Sequence, residues 1–116
     1  MKVSEIKPSQ KKIAISVRII EKREEREVVL QENNSCHKVI EFLVGDKTAC
    51  ILLSVWDYRI ERIEISKTYK LENAYTTMFK HSIRLNVGKF GTINESPEEI
   101  KTVNRKNNLS EKELTN

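Results

Sequence analysis

Three observations predict an all-β protein: a five-stranded barrel with a short helix between the third and fourth strands, followed by a disordered C-terminal tail. Five segments of this 116-residue chain show the two-residue period or the continuous apolar run of a strand. A single intervening segment, 57–65, has helix-like spacing. From Ser96 onward the apolar pattern stops.

The elements follow in order. In IAISVRIIE (13–21), Ile13, Ile15, Val17 and Ile19 share one face, and their β-branched side chains suit a first strand. The charged stretch EKREEREVVLQENNS reads as the tip of a long hairpin, turning at Asn33-Asn34-Ser35. Residues 36–44 form a second strand, in which Val39, Glu41 and Leu43 alternate with Ile40, Phe42 and Val44. After the turn Gly45-Asp46-Lys47, the third strand is ACILLSVW (49–56), with Ile51, Leu53 and Val55 as its core row. Asp57 suits the N-cap of one or two helical turns carrying Tyr58, Ile60 and Ile63 onto the core. Thr68–Asn73 is a fourth strand, with Tyr69 and Leu71 inward, and Ser82–Val87 a fifth, with Ile83, Leu85 and Val87 inward. Five strands with a helix after the third is the order of the OB-fold, whose strand 2–3 face and loops 1–2 and 4–5 bind oligonucleotides. An SH3-like barrel has the same strand count, but the helix favours OB.

The length suits one hydrophobic core. Residues 1–95 read as the folded domain and 96–116 as the tail, whose Ile100, Val103 and Leu109 are too few to offset the entropy of ordering. Net charge is +4, and the surplus belongs to the folded part, which holds 17 of the 21 basic and 13 of the 17 acidic residues. No segment reaches the roughly 18 apolar residues of a membrane span, and the opening MKVSEIKPSQKK lacks a signal-peptide core. These readings predict a cytosolic protein with no membrane partner. Cys36 and Cys50 form no CxxC motif. In a hairpin turning near Gly45-Asp46, Cys50 faces a residue near 43 and Cys36 one near 57, which is too far apart for a disulfide. His37 and His81 lack zinc spacing. Free thiols, no metal and no cofactor are expected.

The functional signal lies in NAYTTMFKHSIRLNVGKFGTIN (73–94), which holds no acidic residue. Tyr75 and Phe79 stand there among Lys80, Arg84 and Lys89, with Trp56 upstream. Flat faces for bases and cations for phosphates are what a single-stranded nucleic acid requires. Tyr75 and Phe79 share a parity, Arg18 and Arg84 lie off the core rows of their strands, and Trp56 is opposite the Ile51-Leu53-Val55 row. Asn86 shares the face of Arg84 and joins the candidate set. The bland alternative is ordinary core aromatics beneath a solvated basic surface.

The series VGDKTACILLSVW (44–56), YKLENAYTTMFK (69–80) and IRLNVGKFG (83–91), after the opening VSEIKPSQKKIAISVRIIEK (3–22), resembles the single-OB single-stranded DNA-binding proteins of archaea. It is similar, more loosely, to the eukaryotic sensor-of-single-stranded-DNA proteins. The resemblance covers about residues 3–94. It implies that Trp56, Tyr75 and Phe79 stack on bases, that Arg18 and Arg84 line the groove, and that the protein serves replication, recombination or repair. Ala49, Ser66-Lys67-Thr68 and His81 stand where relatives usually carry a glycine, and a Gly/Arg-rich or acidic tail is missing.

The leading expectation is therefore non-enzymatic, largely sequence-independent binding of single-stranded DNA by a monomer. Alternatives are an RNA-binding OB module and a protein-interaction OB subunit of a replication or transcription assembly. No Gly-rich phosphate loop, nucleophile–His pair or carboxylate cluster points to an enzyme or a small-molecule substrate, and the pair Asp57 and Glu61 reads as solvated surface.

Overall fold

The computed structural model describes residues 1–112. The strands are β1 (Ile13–Leu30), β2 (Ser35–Gly45), β3 (Cys50–Trp56), β4 (Thr68–Phe79) and β5 (Ser82–Glu95). They close a barrel in the order β1-β2-β3-β5-β4, with β4 returning to β1. Every pairing is antiparallel except β3–β5, which is parallel and spans only Leu52↔Arg84 to Ser54↔Asn86. A 3-10 helix at Asp57–Arg62 fills the interval between β3 and β4. This is the OB arrangement that the element order predicts.

The interior is built from the rows read in the sequence: Ile13, Ile15, Val17 and Ile19; Ile40, Phe42 and Val44; Ile51, Leu53 and Val55; Tyr69 and Leu71; Ile83, Leu85 and Val87. Ile60 and Ile63 pack against this cluster, whereas Tyr58 points outward with 65% of its surface exposed. Asp57 is not the N-cap. That position falls to Trp56, and Asp57 takes a positive φ of 51° as the first helical residue. Its carboxylate instead receives the Lys38 N–H and the His37 ring from β2.

Strands β1, β4 and β5 outrun their expected ends. Beyond the barrel, β1 and β2 continue as a two-stranded ribbon to Leu30↔Ser35, and β4 and β5 as another to Phe79↔Ser82. The charged residues 22–27 concealed the first extension, since neither face of a solvated ribbon needs an apolar row. The second ends in a two-residue turn, Lys80-His81, with both φ values positive (50° and 65°). Such a turn matches the strand twist and favours glycine or asparagine, so His81 takes a conformation costing about 1–2 kcal/mol. Ser66, with φ 75°, likewise takes a left-handed conformation that favours glycine.

The turn between β2 and β3 is tighter than expected, for Cys50 pairs with Gly45 rather than with a residue near 43. A side chain at Gly45 would meet the Ala49 carbonyl at 2.5 Å and Val103 at 2.8 Å. Both cysteines are free, Cys36 exposed and Cys50 buried, and burial pushes the Cys50 thiol up.

The segment after Glu95 departs from its expectation. Its described part, residues 96–112, has no strand, as its composition predicts, but lies along the barrel instead of being disordered. The last four residues of the expected tail lie outside the described residues. Polar contacts replace the missing apolar face. Arg18 donates to the carbonyls of Ile100 and Lys101, Asn104 N–H to Asp46 O, and Cys50 N–H to Asn107 O. Ser110 sits at the β3–β5 seam, where its hydroxyl accepts the Leu52 N–H at 2.9 Å and donates to Ile83 O at 2.6 Å. Leu109 packs on the core. A chain ending at Glu95 is expected to melt at least about 5 °C lower, because buried backbone groups at Cys50 and Leu52 lose their partners. Equal melting temperatures in circular dichroism would show that these contacts add no net stability.

Candidate nucleic-acid interface

The outer surface of β3, β5 and β4 carries the sequence-predicted aromatics. At the end of β3, Trp56 turns away from the core, and its Nε1–H donates to Asn86 Oδ1 at 3.4 Å. Asn86 in turn donates from Nδ2 to Thr77 Oγ1 at 2.7 Å. Asn86 is only 5% exposed, so it links Trp56 on β3 to β4 across β5 and offers little to a ligand. Tyr75 lies opposite Asn86, with its ring across Gly88: a Cβ there would stand 3.0 Å from Tyr75 Cε1. Glycine at this position is what lets the ring lie against the strand.

Trp56 and Tyr75 form two walls of a groove of about 540 Å³. Leu30, His37, Tyr58 and Lys89 complete it. Its base is braced by Arg59, whose guanidinium donates to the carbonyls of Val87, Gly88 and Gly91 at 2.7–2.9 Å. Asp57, at the rim, is held below the usual carboxylate range, chiefly by its hydrogen bond with His37 and further by the Lys38 N–H. The rim therefore carries one carboxylate against Lys89 and the Arg59 guanidinium.

A second cluster lies beneath the tip of the β4–β5 ribbon. Glu41 on β2 is fully buried, and its Oε2 receives Arg84 Nε at 2.8 Å and the Ser54 hydroxyl at 3.0 Å, with Arg26 Nη1 at 3.4 Å. Phe79 covers this cluster. The guanidinium carbons of Arg26 and Arg84 stand 4.4 and 5.6 Å from its ring centre, and Lys80 Nζ stands 5.4 Å away. Phe79 thus bridges the two ribbons, since Arg26 belongs to the β1–β2 ribbon.

The structure therefore brings together Trp56, Tyr75, Phe79, Lys80, Arg84 and Asn86, but not Arg18. Arg18 is on another part of the barrel, with its guanidinium bound to tail carbonyls. Arg84 is present but buried, its charge matched by Glu41. Sequence reasoning missed Leu30, His37 and Tyr58 as groove walls, and also Phe90, which is 82% exposed beside Lys89. Phe90 stood within the acid-free stretch and was open to the same argument as Tyr75. Leu30 and His37 gave no signal, because only the full length of the β1–β2 ribbon delivers them to this face.

A barrel with this strand order, carrying an aromatic groove and a basic ribbon tip, has the architecture of a single-stranded nucleic-acid-binding OB domain. The family model described as "Single-stranded DNA binding protein Ssb-like, OB fold" matches residues 6–95, and the chain belongs to that family. It is 34% identical over 98 residues to the single-stranded DNA binding protein Ssb of Saccharolobus solfataricus, covering 84% of this chain and 65% of that relative. The chain thus spans just under two thirds of that protein's length. A solution structure of a hypothetical Arabidopsis thaliana protein superimposes with a TM-score of 0.82 at 30% identity, covering 100% of this chain and 86% of that one. The OB domain of a Thermoplasma acidophilum protein shares the fold, with a TM-score of 0.72 at 18% identity over 90% of this chain and 92% of that one.

Proposed function

We propose that this chain binds single-stranded DNA without catalysis and with little sequence preference, protecting it during replication, recombination or repair. The observation that carries this reading is the groove lined by the half-buried rings of Trp56 and Tyr75 on the outer surface of an Ssb-family barrel. Bases stack on Trp56 and Tyr75, and on Phe79 once its ring is released from Arg26. Lys80 and Lys89 stand near phosphates. Arg84 acts through Glu41 and Phe79 instead of meeting phosphate directly, and Arg18 orders the tail. The protein works as a monomer on nucleoid DNA.

Competition of labelled oligo-dT by oligo-U and by duplex DNA, at fixed salt, tests the proposal. Oligo-dT is expected to win over both. Log affinity should fall with log salt by about 0.7 per phosphate contact, and Lys80→Ala should make the slope shallower by about that amount. Equal competition by duplex would overturn the single-strand reading. Stronger competition by oligo-U would redirect it to RNA.

A further inference from the structure

Beyond the stacking aromatics, the groove wall contains a hydrogen-bonded chain, Asn33–Ser35–His37–Asp57, whose protons can be assigned one by one. The Asn33 side-chain oxygen accepts the Ser35 backbone N–H at 3.0 Å, which fixes the orientation of that amide. The Ser35 hydroxyl oxygen lies 2.6 Å from the same Oδ1 and must donate to it, since two acceptors at that distance repel. With its single proton committed, this hydroxyl can only accept from His37 Nε2, 2.8 Å away. On the other side of the ring, Nδ1 stands 2.7 Å from Asp57 Oδ2, a carboxylate that only accepts. Every contact is satisfied only when both ring nitrogens carry protons. The geometry also rules out a nucleophilic reading of Ser35, His37 and Asp57, because the serine proton points away from the imidazole.

We propose that His37, held as the imidazolium, is a positioning residue of the DNA-binding groove that makes affinity depend on pH. This inference rests on the single-stranded DNA reading above. The chain of bonds ties the β1–β2 turn to the residue that follows Trp56. The His37 ring also meets Trp56 edge-on, with centroids 6.2 Å apart and planes at 63°. Leu30 pairs with Ser35 and is carried to the groove wall by the same anchor.

The charged neighbours set the sign. Asp57 is the one carboxylate lining the groove among the described residues, while Arg59 from the 3-10 helix and Lys89 from β5 share the groove. On the β1 side, Arg26 and Val28 pair with Val39 and His37 on this face, and Glu25 and Glu27 fall on the opposite parity. As pH rises and the imidazolium loses a proton, the neutral ring keeps Nδ1–H for Asp57, but its Nε2 lone pair then faces the serine oxygen. Ser35 must abandon either Asn33 or His37, the ribbon tip loosens, and the groove loses one positive charge. On the acid side, the depressed Asp57 carboxyl means its contribution is present above its unfolded value and is lost as pH falls through the lowered one.

Oligo-dT is the probe, because thymine does not ionise in this range, and Trp56 fluorescence is the readout. Titrations from about pH 5.5 to about pH 8 at constant ionic strength should show wild-type affinity weakening about three- to tenfold, the size of one exposed charge-assisted hydrogen bond. His37→Gln should give a flat profile near the wild-type high-pH affinity. His81→Gln, in the β4–β5 turn, should keep the wild-type profile. In the free protein at about pH 6, imidazole nitrogen spectra should show His37 doubly protonated. A flat wild-type profile, a slope retained in His37→Gln, or a neutral His37 ring at that pH would each overturn the proposal. Absence of oligo-dT binding at every pH would instead bring down the underlying reading, and this role for His37 with it.

Discussion

Replacing Glu41 with alanine is expected to lower the unfolding free energy by about 3–5 kcal/mol, the usual cost of leaving a buried charge unpaired. Glu41 is fully buried, and Arg84, 8% exposed beneath Phe79, has no other carboxylate in reach among the described residues. Arg26 loses the same partner. The cost belongs to the stranded arginines, so it should be relieved by removing Arg84 as well. A Glu41→Leu, Arg84→Met double variant should recover most of the loss, because apolar replacements of similar volume are tolerated where a broken ion pair is not. Urea unfolding of both single variants and the double variant measures the coupling. A Glu41→Ala cost below about 1 kcal/mol would mean that water reaches the cluster.

Trp56→Ala should weaken oligo-dT binding by about 1–3 kcal/mol, the range for loss of one base–aromatic stack. The folded state should lose less than it does with Leu53→Ala, a core truncation worth about 2–5 kcal/mol. The contrast follows from position: Leu53 is fully buried in the barrel, whereas Trp56 is partly exposed and held by a single long hydrogen bond to Asn86. Tyr75→Ala should behave alike. Oligonucleotide titration paired with thermal melting separates the two effects. Normal binding with a sharply lowered melting temperature would place Trp56 in the structural core and remove it from the interface.

The inward rows of β1, β3, β4 and β5 were legible because a period-two apolar pattern marks the side that is buried. The same logic does not reach the second strand, where Val39-Glu41-Leu43 alternates with Ile40-Phe42-Val44 and the sequence favours neither row; the fold buries both, Glu41 included. A carboxylate flanked by apolar residues signals this weakly, since its arginine partners lie on other strands. The aromatics were visible because they concentrate in an acid-free stretch. The basic residues were not separable by sequence, because Arg18, Arg84 and Lys80 differ only in what the fold sets opposite them: tail carbonyls, a buried glutamate, and solvent. The tail was misjudged for a related reason. Its docking uses Ser110, Asn107 and Asn104 on backbone groups, and hydrogen bonds of that kind have no periodicity to read.

The brief parallel contact between β3 and β5 has a consequence in time. Strands β3 and β5 are separated in the chain by the 3-10 helix and all of β4, so their pairing closes a long loop and forms against a large entropy cost. The residues that staple this seam, 107–110, lie downstream of every strand. On a chain emerging in order, the barrel can assemble four of its five pairings and still leave the Cys50 and Leu52 amides solvated until that segment arrives. The Cys50 and Leu52 amides therefore gain these partners only after β5 has been made, at the end of the barrel's assembly.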